Sequence, residues 1–280
     1  MLDSFGQTLR IGVAPSAVTV LALRRWGAAR PRTVGELRLE HSSHPDALAG
    51  AVRVLLADAG GGLARRPATI VLADELVRLW HVTPPPGSTR LADLEGAAAL
   101  RFQSLFGDAA GAWQISAGWD AARPFLAAAM PRALLAQLED ACAEHKVDIV
   151  EIVPQFVAGF NRWRGALKEG AWYANVHEGV LTLGALADGA LHAVRATALP
   201  RGAGEGKGEG ADLDWLARHV AREALRLNLA PPSRLQVSGK APLAWSSGAS
   251  HATLACTLLG VQHDPALTDG ARLAATGSAA

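Results

Sequence analysis

Two stretches of this chain repeat one order of elements, and that repeat limits its fold more than any single motif. The first begins with two apolar strands, Leu9–Val13 and Ala17–Leu23, broken at Ala14-Pro15-Ser16. Val, Ile, Leu and Thr suit strands, while Pro15 has no N–H to give a ladder and belongs in the turn. Thr33–Glu40 alternates as a third strand. Asp46 then opens an amphipathic helix with Leu48, Val52, Leu55 and Ala59 on one face, ended by Gly60-Gly61-Gly62. Ala68–Ala73 follows, a continuous apolar run typical of a strand covered on both faces. The second stretch starts about 165 residues later. Its strands are Trp172–His177, Gly179–Leu186 and Ala190–Leu199, with Asp188-Gly189 as a hairpin turn. A helix over Asp212–Asn228 aligns Leu213, Leu216, Val220, Ala224 and Leu227, and Arg234–Val237 is the next strand, closed by Ser238-Gly239. The order βββαβ, met twice, predicts a duplicated α/β fold with mixed sheets rather than a plain strand–helix alternation.

The stretch between the repeats predicts an α/β insertion over about residues 74–130. Leu76–Val82 reads as a strand ending in Pro84-Pro85-Pro86. Leu91, Leu94, Ala98, Phe102 and Leu105 make a helical stripe stopped by Gly107, and Trp113–Trp119 and Pro124–Met130 read as two more strands. Phe102, Phe106, Trp113 and Trp119 are expected to form its core. Pro131 suits the first turn of a helix carrying Leu134, Leu138 and Ala141. After the strand Val147–Val153, Pro154 opens a helix whose stripe, Phe156, Phe160, Trp163 and Leu167, is expected to lie between the two halves. The expected division is therefore 1–153, a connecting helix and linker over 154–170, 171–262, and a C-terminal segment over 263–280.

Composition removes several functions. The formal net charge is +1 over 280 residues, against the clustered basic excess that nucleic-acid binding requires. Cys142 and Cys256 are too few for a disulfide framework and read as two buried thiols. The first residues lack the pattern of a signal peptide, and no apolar run approaches the roughly 20 residues of a spanning helix, so a soluble cytoplasmic chain is expected. The tract Gly202-Ala203-Gly204-Glu205-Gly206-Lys207-Gly208 fails as a phosphate loop: Lys207 is followed by Gly208, not Ser or Thr, and two Glu residues would repel phosphate. It reads as a flexible connection. His41 and His44 sit in a turn without acidic or Cys partners at ligand spacing, and His177-Glu178 follows a strand, so no metal site is expected. No G-x-S-x-G elbow occurs, although a triad of distant residues stays open.

The hairpin Ile11-Gly12-Val13-Ala14-Pro15-Ser16-Ala17-Val18-Thr19, its counterpart Asn175-Val176-His177 with Thr182, and the turn Ser238-Gly239-Lys240 carry a resemblance. In order and spacing over residues 9–262 the chain resembles the actin-like ATPase (ribonuclease H-like) superfamily, and within it PilM-type pilus assembly proteins and GspL-type cytoplasmic domains. Arg195 and Pro200-Arg201-Gly202 also stand where such proteins often carry an Arg and a Pro-Gly-Gly turn. The resemblance implies a nucleotide cleft between two hairpins, in which Gly12, Ser16, Asn175, His177, Thr182 and Gly239 would be the vestige of a cofactor site. Gly12 and Asn175 stand where acidic residues would support magnesium, and Ala14 and His177 where bare glycine backbone would approach phosphate. Phosphoryl transfer without those carboxylates is poorly supported, so no catalytic residue, no metal and no bound ATP are expected. What the resemblance implies instead is a non-catalytic cytoplasmic scaffold at the inner membrane of a bacterium, serving a type IV pilus or type II secretion platform. Its partner would be a cytoplasmic N-terminal segment of a bitopic membrane protein, with membrane association only through such partners, held in a groove walled by the insertion. The alternative is a nucleotide-binding ATPase or kinase-like enzyme that keeps Ser16, Thr182 and Gly239 as contacts.

Overall fold

The computed structural model describes residues 7–24, 31–59, 65–200, 211–245, 253–260 and 267–278. The expected helix stop at Gly60–Gly62 and the glycine tract 202–208 lie outside the described residues. Three sheets organise the rest. The first is built from β1 (Gln7–Val13), β2 (Ala17–Arg24), β3 (Arg32–Arg38), β4 (Arg66–Leu72) and β8 (Val147–Pro154), in the order β3-β2-β1-β4-β8. The second holds β9 (Ala171–His177), β10 (Val180–Ala187), β11 (Ala190–Ala198), β12 (Arg234–Gly239) and β13 (Ala255–Leu258), in the matching order β11-β10-β9-β12-β13. In each, an antiparallel three-strand meander continues into two parallel strands. The third sheet, β5 (Arg78–Val82), β6 (Trp113–Ala117) and β7 (Phe125–Pro131), runs β5-β7-β6 and belongs to the insertion.

Alternation along the strands assigns each face. Leu9, Ile11 and Val13 of β1 and Ala68, Ile70 and Leu72 of β4 point to α1 (Pro45–Asp58) and α3 (Arg132–Glu144), whose Leu48, Val52, Leu134 and Leu138 complete one buried cluster. Trp172, Ala174 and Val176 of β9 meet Leu213, Leu216 and Val220 of α5 (Leu213–Arg226) in the same way. The other faces are covered by exchange. α4 (Gln155–Trp163) follows β8 of the first sheet but packs Phe156 and Phe160 on Tyr173 of the second, with ring centroids 5.4 and 5.7 Å apart. α6 (Asp269–Ala275) follows the second sheet but packs Ala271 and Ala274 on Leu21 of the first.

Several boundaries differ from the sequence reading. The C-terminal segment 263–280 carries α6, and β13 extends the second sheet; neither element was assigned from the sequence. Asp74–Leu76 form a 3-10 turn, so β5 starts at Arg78 and not Leu76. α4 stops at Trp163 and passes into a 3-10 turn at Arg164–Ala166, because Gly165 weakens the helix there. Leu167 therefore leaves the helix yet joins the same apolar cluster. Pro131 is the N-cap of α3, not a first-turn residue, since it also closes β7. Cys142 is buried but Cys256 only half-buried, and burial pushes both thiols up to about 11. The insertion follows its expected chemistry: Phe102 is buried with Phe106, Trp113 and Trp119 around it, and α2 (Leu91–Phe106) ends at Gly107 with φ 75°.

Candidate functional site

The two hairpin turns meet. Glu178 and Gly179 both have positive φ, 45° and 80°, the backbone of a tight two-residue turn between β9 and β10. The Ser16 hydroxyl of the β1–β2 turn donates to the Glu178 carboxylate, tying the turns together. Beside this contact lies a tight crevice lined by Asp74, Glu75, Gln155, Asn175, His177, Val180 and Thr182, too narrow to admit a water-sized sphere. Ligand pockets generally run from roughly 300 Å³ upwards.

Asp74 is the most constrained member. It sits in the 3-10 turn after β4, and its Oδ1 accepts the Phe156 N–H at 2.9 Å, occupying one of the free donors at the start of α4. Burial pushes its carboxyl up to about 6, against the Phe156 N–H and the nearby Thr182 and Asn175 side chains, which favour the ionised form. Oδ2 still has no hydrogen-bond partner among the described residues, nor do Gln155 Oε1 and His177 Nε2. Burial also lowers the His177 pKa, opposed by Glu178 and Asp269, which favours a neutral imidazole. Next to it, Ser238 Oγ donates to Asn175 Oδ1 at 3.1 Å and lies 2.6 Å from the Tyr173 hydroxyl. Gly239, with φ 81°, closes this network: a Cβ there would lie 2.1 Å from the Val176 carbonyl oxygen.

Five of the six residues predicted for a vestigial cleft thus converge. Asn175, His177 and Thr182 line the crevice, Gly239 abuts Asn175, and Ser16 reaches it through Glu178. Gly12 does not join them. It lies under α6, where a Cβ would come within 2.8 Å of Ala274 N and 2.9 Å of Gly270 O. Its bareness serves helix packing rather than an approach to phosphate. Asp74 and Gln155 were missed as site residues. Their signals were faint: an acid directly after a continuous apolar strand, and a Gln directly after the proline at a strand–helix junction. A magnesium–nucleotide pair does not fit this arrangement, with the turns joined and the crevice smaller than any nucleotide pocket. Among the described residues no three His, Cys, Asp or Glu side chains are grouped to hold a metal.

A larger space opens on the other side of α4. The insertion sheet packs Phe125, Ala127 and Ala129 against α2, and its opposite face presents Leu126, Ala128 and Met130. Those residues, with Ser116 of β6, Leu135 of α3 and residues 149–153 of β8, enclose a groove of about 540 Å³. Both strands beside it are sheet edges, β8 in the first sheet and β6 in the third. β8 is bulged at the groove: Ala68 pairs with Ile149 and Thr69 with Glu151, so Val150 is left out of register and 69% exposed.

No family model and no curated protein matches the chain. Solved structures do. A Bacteroides thetaiotaomicron protein with actin-like ATPase fold and unknown function aligns over 85% of this chain and 84% of its own, at 11% identity and a TM-score of 0.57. The cytoplasmic domain of EpsL, an inner membrane component of the type II secretion system of Vibrio cholerae, aligns over 95% of this chain and 92% of its own, at 13% identity and a TM-score of 0.55. No helix among the described residues is long and apolar enough to cross a membrane.

Proposed function

From an actin-like ATPase fold whose two hairpin turns are joined, we propose that the chain is a non-catalytic scaffold of a pilus- or secretion-type assembly at the bacterial inner membrane. Its groove beside β8 would hold an extended cytoplasmic N-terminal segment of a bitopic membrane partner. The observation that carries this reading is the 540 Å³ groove between two open strand edges. Unpaired backbone groups on such edges capture extended peptides by strand addition, and the small side chains of the insertion wall leave room for alternate apolar residues. The likeness to the EpsL cytoplasmic domain supports the setting. The closed turns and the docked Gly12 support the absence of phosphoryl transfer.

A photo-crosslinking residue in place of Val150 tests this in the native host. The expected adduct is the cytoplasmic segment of an inner-membrane protein; adducts only to soluble enzymes would contradict the proposal. Ala128→Trp, which fills the groove from its half-buried position on β7, is expected to abolish that adduct. Stability should change by less than about 1 kcal/mol in urea titrations, since the new ring enters empty space.

A further inference from the structure

We propose that the outer face of α5 is a contact surface for an anionic lipid bilayer. The helix buries Leu213, Leu216, Val220 and Ala224 against the second sheet. At 100° per residue, Arg218, Arg222 and Arg226 then fall on one outward strip, one turn apart, with Leu225 beside them. All four are exposed, and Leu225 at 81% is the most exposed large apolar side chain among the described residues. Arg195 of β11 extends the patch: Glu223, itself buried, accepts from Arg226 at 2.6 Å and lies 3.1 Å from the Arg195 guanidinium as an ion pair. Glu223 offsets one of these four arginines. The only outward acid on the helix is Asp214, in its first turn.

The concentration of charge is informative because the whole chain carries only +1. One face therefore holds a positive excess while the remainder is close to neutral. An exposed helix face suits a flat partner, and a leucine extruded among arginines suits one with an apolar layer beneath anionic groups. Nucleic acid and acidic peptide satisfy the charge but leave Leu225 in water. The contact is weak alone and, resting on the scaffold reading above, acts by raising the local concentration of a groove-bound partner.

The test is co-sedimentation of the full chain with phosphatidylcholine vesicles, with and without one-third phosphatidylglycerol, at 50 and 300 mM NaCl. Phosphatidylglycerol should raise partitioning at least tenfold at 50 mM, with most of the gain lost at 300 mM. Arg218→Glu with Arg222→Glu should remove the gain; both residues lie outside the Glu223 pairs, and an unchanged melting temperature checks folding. Leu225→Ala should reduce the part that survives salt, and Arg101→Glu on α2, equally exposed, should change binding less than twofold. Equal binding to both vesicle types, or full binding by the double variant, would overturn the proposal. So would binding that depends on Arg218 and Arg222 but goes to polyglutamate and not to vesicles.

Discussion

Gly12→Val is expected to undock α6 and cost about 3 kcal/mol or more. The added side chain would meet backbone, not flexible side-chain ends: Ala274 N at 2.8 Å and Gly270 O at 2.9 Å from its Cβ. Overpacking of this kind costs typically 1–3 kcal/mol, and more where a helix must leave its seat. The seat is otherwise well specified. Arg10 Nε donates to the Ala274 carbonyl at 2.6 Å, and its guanidinium also reaches the Thr276 carbonyl, capping the end of the helix. Thr268 caps the start, accepting the Ala271 N–H at 3.1 Å, and Lys240 pairs with Asp269 at 2.9 Å. Urea denaturation should show the loss, and hydrogen exchange should show it concentrated in residues 269–275. A change below 1 kcal/mol would mean that Gly12 faces open space, as a phosphate loop would require.

The second large effect lies at Asp74. Its carboxyl is raised from 3.8 to about 6 in the folded chain, so the native state holds a proton that the unfolded state has released. Linkage then makes this group's contribution to stability greatest below pH 4, decreasing as pH rises and gone above pH 6; the difference corresponds to about 3 kcal/mol. Asp74→Asn keeps an acceptor for the Phe156 N–H and has nothing to ionise. It should be about 1–3 kcal/mol more stable than the parent at pH 7.5, with no difference near pH 4. Asp74→Ala should lack that gain, because it leaves the Phe156 N–H unpaired inside the seam. Denaturation of the three proteins across pH 4–8 gives difference curves in which other titrating groups cancel. A flat difference between parent and Asn variant would contradict a buried, proton-linked Asp74.

This cost falls at the seam between the halves, where a carboxylate ionised at neutral pH accepts one N–H while its Oδ2 has no hydrogen-bond partner among the described residues. Natural chains keep such costs where a site once worked or where two bodies must part.

The strands and large helices were legible because their periodicity is local. Leu9, Ile11 and Val13 alternate whether or not the rest of the chain is present, and the stripe on α5 needs only its own residues. The duplicated order was enough to name the fold. α6 was not legible, since its seven residues bury one large side chain, Leu273, among Gly270, Ala271 and Ala274, too little to print an amphipathic stripe. Its seat, Gly12, lies more than 250 residues earlier. β13 has only four residues, and none of them is fully buried. Asp74 stood only as the first residue of the expected insertion, for only the folded chain brings it to the start of α4, 82 residues on. The groove was expected only from the resemblance, with the insertion as its wall; its lining escaped, because it is made of edges and small side chains, and absence of bulk leaves no pattern in a sequence.

Thermal unfolding with 5 mM magnesium–ATP, and separately with ADP, tests the central claim that the joined turns leave no working nucleotide site. Were either nucleotide bound with a Kd of about 50 μM, a hundredfold excess would add about 2.7 kcal/mol. For a chain of this size that moves Tm by several degrees. The account predicts a shift within about 1 °C for both nucleotides; a rise of 5 °C or more with either would contradict it.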